Sequence, residues 1–168
     1  MNSNSPLRLV VHGVAGRMGQ RVVACAAADA VSWQLVAAIE RAGHPQTGAD
    51  AGLLAGIAPA NVTVGAAWSC VADVVIDFSL PGAVAGIAAA CVKAGVPLVV
   101  ATTGLEESDR QAIVHAAGSI PVLQSPSMSL AVNIAMDLVG RAAGLLACVG
   151  GRSDVEIMEW HHRHKEDS

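Results

Sequence analysis

Aromatic residues are scarce in this sequence, which has no tyrosine, one phenylalanine and three tryptophans in 168 residues. Its hydrophobic share is nevertheless 53%, because alanine, valine, leucine and isoleucine supply it. A chain of this length and apolar content can bury the core of one globular domain. Short and branched side chains of this kind favour helices that pack closely on a buried parallel sheet.

Charge is also scarce. Charged residues make up 14% of the chain, and 10 lysines and arginines stand against 14 aspartates and glutamates, which gives a formal net charge of -4. Such a chain exerts no long-range attraction on a phosphate backbone or on an anionic lipid surface. We therefore predict no nucleic-acid partner and no binding to a membrane surface.

The most apolar long stretch, residues 130–149, contains Asp137 and Arg141. Their i,i+4 spacing predicts an ion pair on one face of a helix. Such a pair argues against a transmembrane span, so the sequence predicts no membrane association of either kind.

The sequence has no C-x-x-C pair, and its opening, MNSNSP, lacks the basic-then-apolar order of a secretory leader. Its four cysteines are widely spaced in apolar stretches. They are Cys25, Cys70, Cys91 and Cys148. We predict that all four are buried, reduced thiols in a cytoplasmic protein.

Short β-prone runs alternate with helix-compatible segments along the chain. The predicted strands are 7–11, 33–39, 74–78, 97–101, 120–123 and 154–160, and the predicted helices are 16–28, 81–94, 106–117 and 130–148. Residues 41–59 are rich in turn signals and are predicted to be mostly loop. This alternation predicts an α/β fold, a doubly wound parallel sheet of roughly six or seven strands.

Glycine spacing suggests what this sheet binds. Gly13, Gly16 and Gly19 form a G-x-x-G-x-x-G pattern where the first strand passes into the first helix. A diphosphate can approach main-chain amides at a helix N-terminus only where Cβ atoms are absent, and Arg17 could add a charged donor. The spacing differs from the usual G-x-G-x-x-G, and a tight turn without a ligand is the alternative interpretation.

An acidic residue follows the second predicted strand. Glu40 can accept hydrogen bonds from the hydroxyls of an adenosine ribose, and Arg41 can attract a 2′-phosphate. The pair favours a Rossmann-type dinucleotide-binding domain that accepts both NADH and NADPH. The alternative is an ordinary solvated ion pair at the end of a strand.

The C-terminal residues 159–167, EWHHRHKED, hold the densest group of ionisable side chains in the sequence. His161 and His164 could hold zinc, but Arg163 and Lys165 between and beside them oppose a dication. A polar loop is the second interpretation. The third is a catalytic segment, because ligand and catalytic groups in open α/β folds gather at the carboxyl ends of strands.

Taken together, these motifs resemble the dihydrodipicolinate reductase family of lysine and diaminopimelate synthesis, from about Leu7 to the end of the chain. The H-H-R-H-K run after an apolar strand is the most specific part of the resemblance. The other matching segments are 13–19, 40–41, 76–79, 101–104 and 125–129 with Asn133.

The resemblance implies roles for individual residues. It assigns the diphosphate to Gly13, Val14, Ala15, Gly16, Arg17 and Met18, the adenosine ribose to Glu40 and Arg41, and the nicotinamide end to Ala101, Thr102, Thr103, Ser125, Pro126, Ser127 and Met128. His161 would be the general acid and Lys165 a second proton donor, with His162 and Thr103 as contacts to the substrate. No metal is implied.

The family resemblance also implies what the protein does. The expected activity is NAD(P)H-dependent reduction of a cyclic imine dicarboxylate to tetrahydrodipicolinate, in a protein whose full-length family members form homotetramers. An imidazolium is a suitable proton donor near neutral pH. Lys165 and Arg163 would attract a dianionic substrate despite the negative net charge.

Two departures from the family pattern are visible. Ser127-Met128-Ser129 stands where family members commonly show N-F-S, so that a thioether replaces an aromatic ring near the nicotinamide. The family's P-S-G-T stretch and second α+β domain are missing. We expect a dinucleotide-binding domain over 1–153 and only the start of a substrate domain over 154–168. A module that binds NAD(P)H without catalysis is therefore the alternative function.

Overall fold

The structure, a computed structural model, describes residues 5–150, 154–158 and 160. Its strands are β1 (Leu7–His12), β2 (Trp33–Ile39), β3 (Val64–Gly65), β4 (Val74–Asp77), β5 (Leu98–Val100) and β6 (Val122–Gln124). Its helices are α1 (Arg17–Ala28), α2 (Ala51–Leu54), α3 (Val84–Ala94), α4 (Glu107–Ala117) and α5 (Leu130–Cys148). The alternation of strands and helices confirms the α/β class.

The six strands form one parallel sheet in the order β3-β2-β1-β4-β5-β6. The chain starts in the middle at β1, winds outward to β3, and returns to β4 on the other side of β1. This is the doubly wound topology predicted from the alternation. Ligands of such sheets bind at the carboxyl ends of the strands, where the winding direction reverses, and here that point lies between β1 and β4.

Each face of the sheet has its own apolar core. On one face, which we call the α3 face, Val10, Val75 and Val100 pack with residues of α3 and α4. On the other, the α1 face, Leu9 and Val11 pack with residues of α1 and α2. Successive strand residues point to opposite faces. The near-continuous apolar runs of the strands follow from burial on both sides.

One residue of β2 breaks this alternation. The pairing of β1 with β2 runs from Leu9 opposite Leu35 to Val10 opposite Ala37, so that Val36 is an extra residue, a β-bulge. Leu35 packs on the α1 face, whereas Val36 and Ala37 both pack on the α3 face. The bulge therefore changes which face the later residues of β2 point to.

Several predicted element bounds need correction. The last strand of the sheet, predicted over 120–123, is β6 at Val122–Gln124. The mostly loop segment 41–59 holds the single turn α2, and β3 follows it. Residues 154–158 and 160 are not in a strand, so the prediction for 154–160 was wrong for these residues. A strand is stable only when neighbouring strands take its hydrogen bonds, and no described strand pairs with this run.

The cysteine prediction was correct only in part. All four cysteines are free, but Cys91 alone is buried, and Cys25, Cys70 and Cys148 are exposed. Helix α1 buries Gly19, Val23 and Ala26, a stripe that does not include Cys25. An apolar neighbourhood in the sequence thus does not decide which face of a helix a cysteine occupies. Burial raises the pKa of the Cys91 thiol to about 12.

The chain divides into two compact units, the first ending at Pro126 and the second beginning at Ser127. The second unit contains α5, which begins after Ser129, whose Oγ accepts from the Val132 amide at 3.4 Å. No residue of α5 is buried. By length and composition α5 could cross a membrane, but core helices of other proteins meet the same two criteria. It carries the predicted Asp137–Arg141 ion pair, with an N–O distance of 2.8 Å.

Candidate functional site

The glycine turn between β1 and α1 has three glycines with different structural needs. Gly13 has a φ of +76°, and a Cβ there would lie 2.5 Å from the carbonyl oxygen of Phe78. A Cβ on Gly19 would overlap the carbonyl of Gly13. A Cβ on Gly16 would meet only the Gly13 carbonyl, at 3.3 Å, and Phe78 at 3.9 Å. The fold alone thus explains Gly13 and Gly19, whereas a Cβ at position 16 would make a tight contact without a severe overlap.

Gly16 is exposed and is the N-cap residue of α1. The helix has no side-chain cap and no acidic residue in its first turn. The first amides of a helix have no partner within it, and the aligned peptide dipoles make this end attractive to an anion. Arg17 and Met18, the first helical residues, are both exposed. The open side of Gly16 therefore adjoins main-chain donors that suit a phosphate.

The other predicted diphosphate residues have their amides committed within the turn. Val14 is fully buried, and its amide donates to the carbonyl of Ile39 at 3.2 Å. The Ala15 amide donates to Glu40 Oε1 at 3.0 Å. These two residues shape the turn, whereas the exposed positions 16 to 18 are the ones that a ligand can reach.

Glu40 ties the end of β2 to this turn. Its Oε1 accepts from Ala15, and its Oε2 accepts from the Arg41 amide at 3.2 Å. Arg41 is exposed, and the ordinary ion pair with Glu40, which was the alternative interpretation, is not among the salt bridges of the described residues. A cleft of about 430 Å³ is lined by the glycine turn, Glu40, Arg41 and His44. The structure thus brings Gly13, Ala15 and Gly16 to one cleft with both predicted ribose residues. The other predicted diphosphate residues, Val14, Arg17 and Met18, do not line it.

A second cavity, of about 630 Å³, adjoins the first. Its lining includes Ile39, Trp68 and Ile87, together with Arg41 and Lys93. Four residues line both cavities, and these are His12, Glu40, Arg41 and Ala83. The two cavities therefore form a continuous surface along the carboxyl ends of β1 and β2.

The residues predicted at the nicotinamide end fall into both units. In the first unit, Ala101 and Thr102 are buried directly after β5, Thr103 is exposed, and the Ser125 amide donates to the Val100 carbonyl at 3.1 Å. Pro126 is exposed and ends that unit.

The second unit holds the other two nicotinamide residues, Ser127 and Met128. The side-chain amide of Asn133 donates to the Ser127 carbonyl at 2.9 Å, and the side chain of Met128 is exposed. Asn133 also donates to the Ser129 carbonyl at 2.8 Å. These bonds fix the turn that leads into α5.

A buried polar cluster at the strand ends was missed by the sequence reasoning. Nδ1 of His12 lies 2.6 Å from Asp77 Oδ1, and Thr102 Oγ1 donates to Asp77 Oδ2 at 2.7 Å. Burial acts to raise the pKa of Asp77, but hydrogen bonds from His12, Thr102 and Ser79 outweigh it and hold this pKa below its ordinary value. Asp77 is therefore a buried carboxylate at neutral pH.

A signal for this cluster existed in the sequence. His12 and Asp77 each end an apolar strand, and Thr102 comes two residues after the last valine of β5. Polar residues that follow buried parallel runs meet at one edge of the sheet. The same reasoning that singled out Glu40 could have placed these three residues together.

The predicted catalytic and substrate residues His161, His162 and Lys165 lie outside the described residues, as does His164 of the alternative zinc site. Within the described ranges no group of three or more histidine, cysteine, aspartate or glutamate side chains could hold a metal ion.

Sequence comparisons agree with the resemblance. The family described as dihydrodipicolinate reductase, N-terminus, matches residues 7–128. A 4-hydroxy-tetrahydrodipicolinate reductase of Rhodopirellula baltica is 48% identical over 172 residues, which cover 99% of this chain and 61% of the relative. One from Alkalilimnicola ehrlichii is 44% identical over 96% of this chain and 60% of its own length. The chain thus spans about three fifths of these relatives.

Solved structures with low sequence identity share the fold. A dipicolinate-bound dihydrodipicolinate reductase from Paenisporosarcina sp. TG-14 has a TM-score of 0.62 and 20% identity, over 82% of this chain and 54% of that one. The WlbA dehydrogenase of Chromobacterium violaceum, in complex with NADH and UDP-GlcNAcA, has a TM-score of 0.63 and 17% identity, over 86% and 41%. The match over residues 7–128, the glycine turn and the doubly wound sheet lead to one conclusion: this chain belongs to the dihydrodipicolinate reductase family.

Proposed function

We propose that this chain binds NADH or NADPH in the cleft between the glycine turn and Glu40. The observation that carries the proposal is Gly16: it is exposed beside the first-turn amides of α1, and a Cβ there would meet the turn at 3.3 Å, without the overlap that a Cβ on Gly13 or Gly19 would cause. A diphosphate fits these donors. Glu40 and Arg41 lie on the same cleft, where the ribose next to the adenine would follow.

The coenzyme fits the described residues for reasons of charge as well. The diphosphate is anionic, and Arg17 stands at the helix terminus that would receive it. Glu40 can accept from ribose hydroxyls through the oxygen lone pairs that its two bonds to the turn leave open. Arg41 is exposed and can reach a 2′-phosphate, which allows NADPH besides NADH.

The reaction that we propose for the complete protein is reduction of the dihydrodipicolinate-type cyclic imine to tetrahydrodipicolinate in lysine and diaminopimelate synthesis. It is supported by the names of the relatives and by the dipicolinate held in one neighbour. The bound coenzyme supplies a hydride. In this proposal His161 donates a proton to the reduced substrate, Lys165 is a second donor, and His162 and Thr103 bind the carboxylates of the substrate.

The remaining parts of the proposal follow from the same family. The domain boundary at 153/154, a cytoplasmic location and a homotetramer of the full-length protein stay predictions. No nucleic-acid or membrane partner is proposed. A binding module without turnover is the second candidate function, since the chain spans about 61% of its relative from Rhodopirellula baltica.

The binding proposal is tested by titrating this chain with NADH and following coenzyme fluorescence. We expect saturable binding, and we expect Gly16→Ala to weaken it at least about tenfold, because the new methyl group would displace phosphate from charge-assisted hydrogen bonds. Gly144→Ala, on the exposed surface of α5, is the control and should leave the affinity unchanged. Absence of NADH binding by the unaltered chain would refute the proposal.

The same titration with NADPH tests Arg41. We expect Arg41→Ala to weaken NADPH about tenfold through the loss of a contact to the 2′-phosphate, with little change for NADH. Arg17→Ala should weaken both coenzymes alike, because both contain the diphosphate. Equal NADPH affinity before and after the Arg41 substitution would show that its assigned role is wrong. Addition of the imine substrate to the same sample separates a reductase, which oxidises NADH, from a binding module, which does not.

A further inference from the structure

Three polar side chains form a row across the carboxyl ends of β1, β4 and β5. His12 pairs with Asp77 in the register of β1 and β4, and Asp77 pairs with Val100, two residues before Thr102. Val10, Val75 and Val100 lie beneath this row on the α3 face. The row is therefore the upper boundary of that core, directly under the surface where the coenzyme is proposed to bind.

Asp77 fixes the orientation of the His12 ring. One carboxylate oxygen lies 2.6 Å from His12 Nδ1, and the other accepts from Thr102 at 2.7 Å, so rotation of the carboxylate would break both bonds. Asp77 has no exposed surface. Because a carboxylate only accepts hydrogen bonds, Nδ1 must carry a proton, and Nε2 is the nitrogen left for another partner.

His12 borders both cavities. It is 8% exposed, and it is part of the lining of the glycine-turn cleft and of the adjoining cavity. Its side chain is 11% exposed and its Nδ1 faces the fully buried Asp77, which leaves Nε2 as the ring nitrogen available to a ligand. His12 is the last residue of β1 and immediately precedes Gly13.

We propose that His12 is a coenzyme-binding residue whose Nε2 edge contacts the phosphate-bearing part of the dinucleotide, and that its protonation strengthens binding. The inference rests on the proposed function, because it requires the coenzyme in this cleft. A neutral ring with the proton on Nδ1 presents a lone pair at Nε2, which repels phosphate oxygens. A protonated ring presents an N–H donor and a positive charge, which attract them.

The charged surroundings of His12 act in both directions. Asp77 on β4 and Glu40 after β2 favour a protonated ring, whereas Arg41 after β2 and Lys93 on α3 oppose it. A bound diphosphate adds negative charge and favours the protonated ring further. By linkage, the affinity for the dinucleotide must then rise as the pH falls.

The test uses the whole chain and ADP-ribose, which has the adenosine and diphosphate of the coenzyme but no nicotinamide. Calorimetric titration at about pH 6 and about pH 8 brackets the range in which histidine side chains generally exchange a proton. We expect the unaltered chain to bind ADP-ribose about tenfold more tightly at the lower pH, because one charge-assisted hydrogen bond changes an affinity by about this factor.

Two variants assign the effect to His12. His12→Asn keeps an N–H donor near the position of Nδ1, so that Asp77 stays paired, but it lacks the Nε2 edge; we expect it to bind ADP-ribose equally at both pH values and about tenfold more weakly than the unaltered chain at about pH 6. His44→Gln removes the other histidine of the cleft and should keep the pH dependence. If His12→Asn does not fold, His12→Gln takes its place; its amide cannot gain a positive charge, so we expect it also to bind ADP-ribose equally at both pH values.

The outcomes separate this inference from the function on which it rests. Binding of ADP-ribose with equal affinity at both pH values would overturn the role of His12 and leave the coenzyme site standing. A pH dependence that persists in the His12 variant, or that disappears with His44, would overturn it as well. No binding at either pH would overturn both the inference and the proposed function.

Discussion

Two helices of similar apolar character have opposite surroundings. In the first unit α3 buries Val84, Ile87, Ala88 and Cys91 against the sheet. In the second unit α5 is longer, yet none of its residues is buried. Helix formation follows local sequence, but most of the stability of a helix in a protein comes from packing of its apolar face. The free energy of folding of this chain should therefore reside in the first unit.

The largest expected effect comes from matched leucines in the two units. Leu98→Ala, in β5, removes a side chain that is 1% exposed and should lower the free energy of unfolding by about 2–5 kcal/mol. Leu138→Ala, in α5 and 60% exposed, should change it by less than about 0.5 kcal/mol. Urea unfolding followed by circular dichroism measures both. A large loss from Leu138→Ala would show that α5 is packed in solution and would break the contrast between the units.

Replacing a glycine in each unit by alanine should change the stability of the protein in opposite directions. Gly13→Ala places a Cβ at positive φ against the Phe78 carbonyl and should destabilise the protein by about 1–3 kcal/mol. Gly144→Ala, where a Cβ would have no neighbour within 4 Å, should stabilise α5 by up to about 1 kcal/mol through helix propensity. Thermal unfolding compares the two variants. Equal shifts of the midpoint would contradict the different surroundings of the two glycines.

The smallest effect concerns two ion pairs. The hydrogen bond from Arg8, with Nη2 at 2.6 Å from Oδ1, lowers the pKa of Asp73 from 3.8 to about 2. A lowered pKa in the folded state contributes stability above the ordinary value, and this contribution is lost as the pH falls from about 4 towards 2. Asp73→Asn should flatten the fall in the free energy of unfolding over this range and should lower stability at neutral pH.

Asp137→Asn is the matched control in α5. Its pair with Arg141 is exposed on both sides, and exposed pairs contribute little to stability. The curve of unfolding free energy against pH should therefore superpose on that of the unaltered chain. If both aspartate variants change the curve equally, the Arg8–Asp73 pair has no special role in the first unit.

Much of the fold could be predicted from the sequence because its signals are local. Alternating β-prone and helical runs, and the glycines at element ends, gave the parallel sheet and the main helices. The error at residues 154–158 and 160 has a different cause. An alternating apolar run shows that a segment could form a strand, but it does not show that a neighbouring strand pairs with it. Cys25 was misplaced because one residue of offset moves a side chain off the buried stripe of a helix.

The site residues that belong to a sequence motif could be predicted, whereas those that become neighbours only in the folded structure could not. Gly16 and Glu40 stand in recognisable patterns, and the structure brings them to one cleft. His12, Asp77 and Thr102 are up to 90 positions apart in the chain, and only the strand order β1-β4-β5 makes them neighbours. The roles of His161, His162 and Lys165 stay predictions.

The extra residue Val36 has a consequence for chemistry at the far end of its strand. Side chains in a strand take alternate sides, and the bulge at Val36 breaks this alternation once. Each later residue of β2 therefore takes the side opposite to the one that strict alternation from Leu35 would give it. Ile39 packs on the α3 face, and the next residue is Glu40, whose carboxylate reaches the Ala15 amide beside α1. If the same sequence paired with β1 without the bulge, Val36 would stand opposite Val10 and Glu40 would point to the α3 face. The carboxylate would then turn away from the glycines, although every residue of the motif remained.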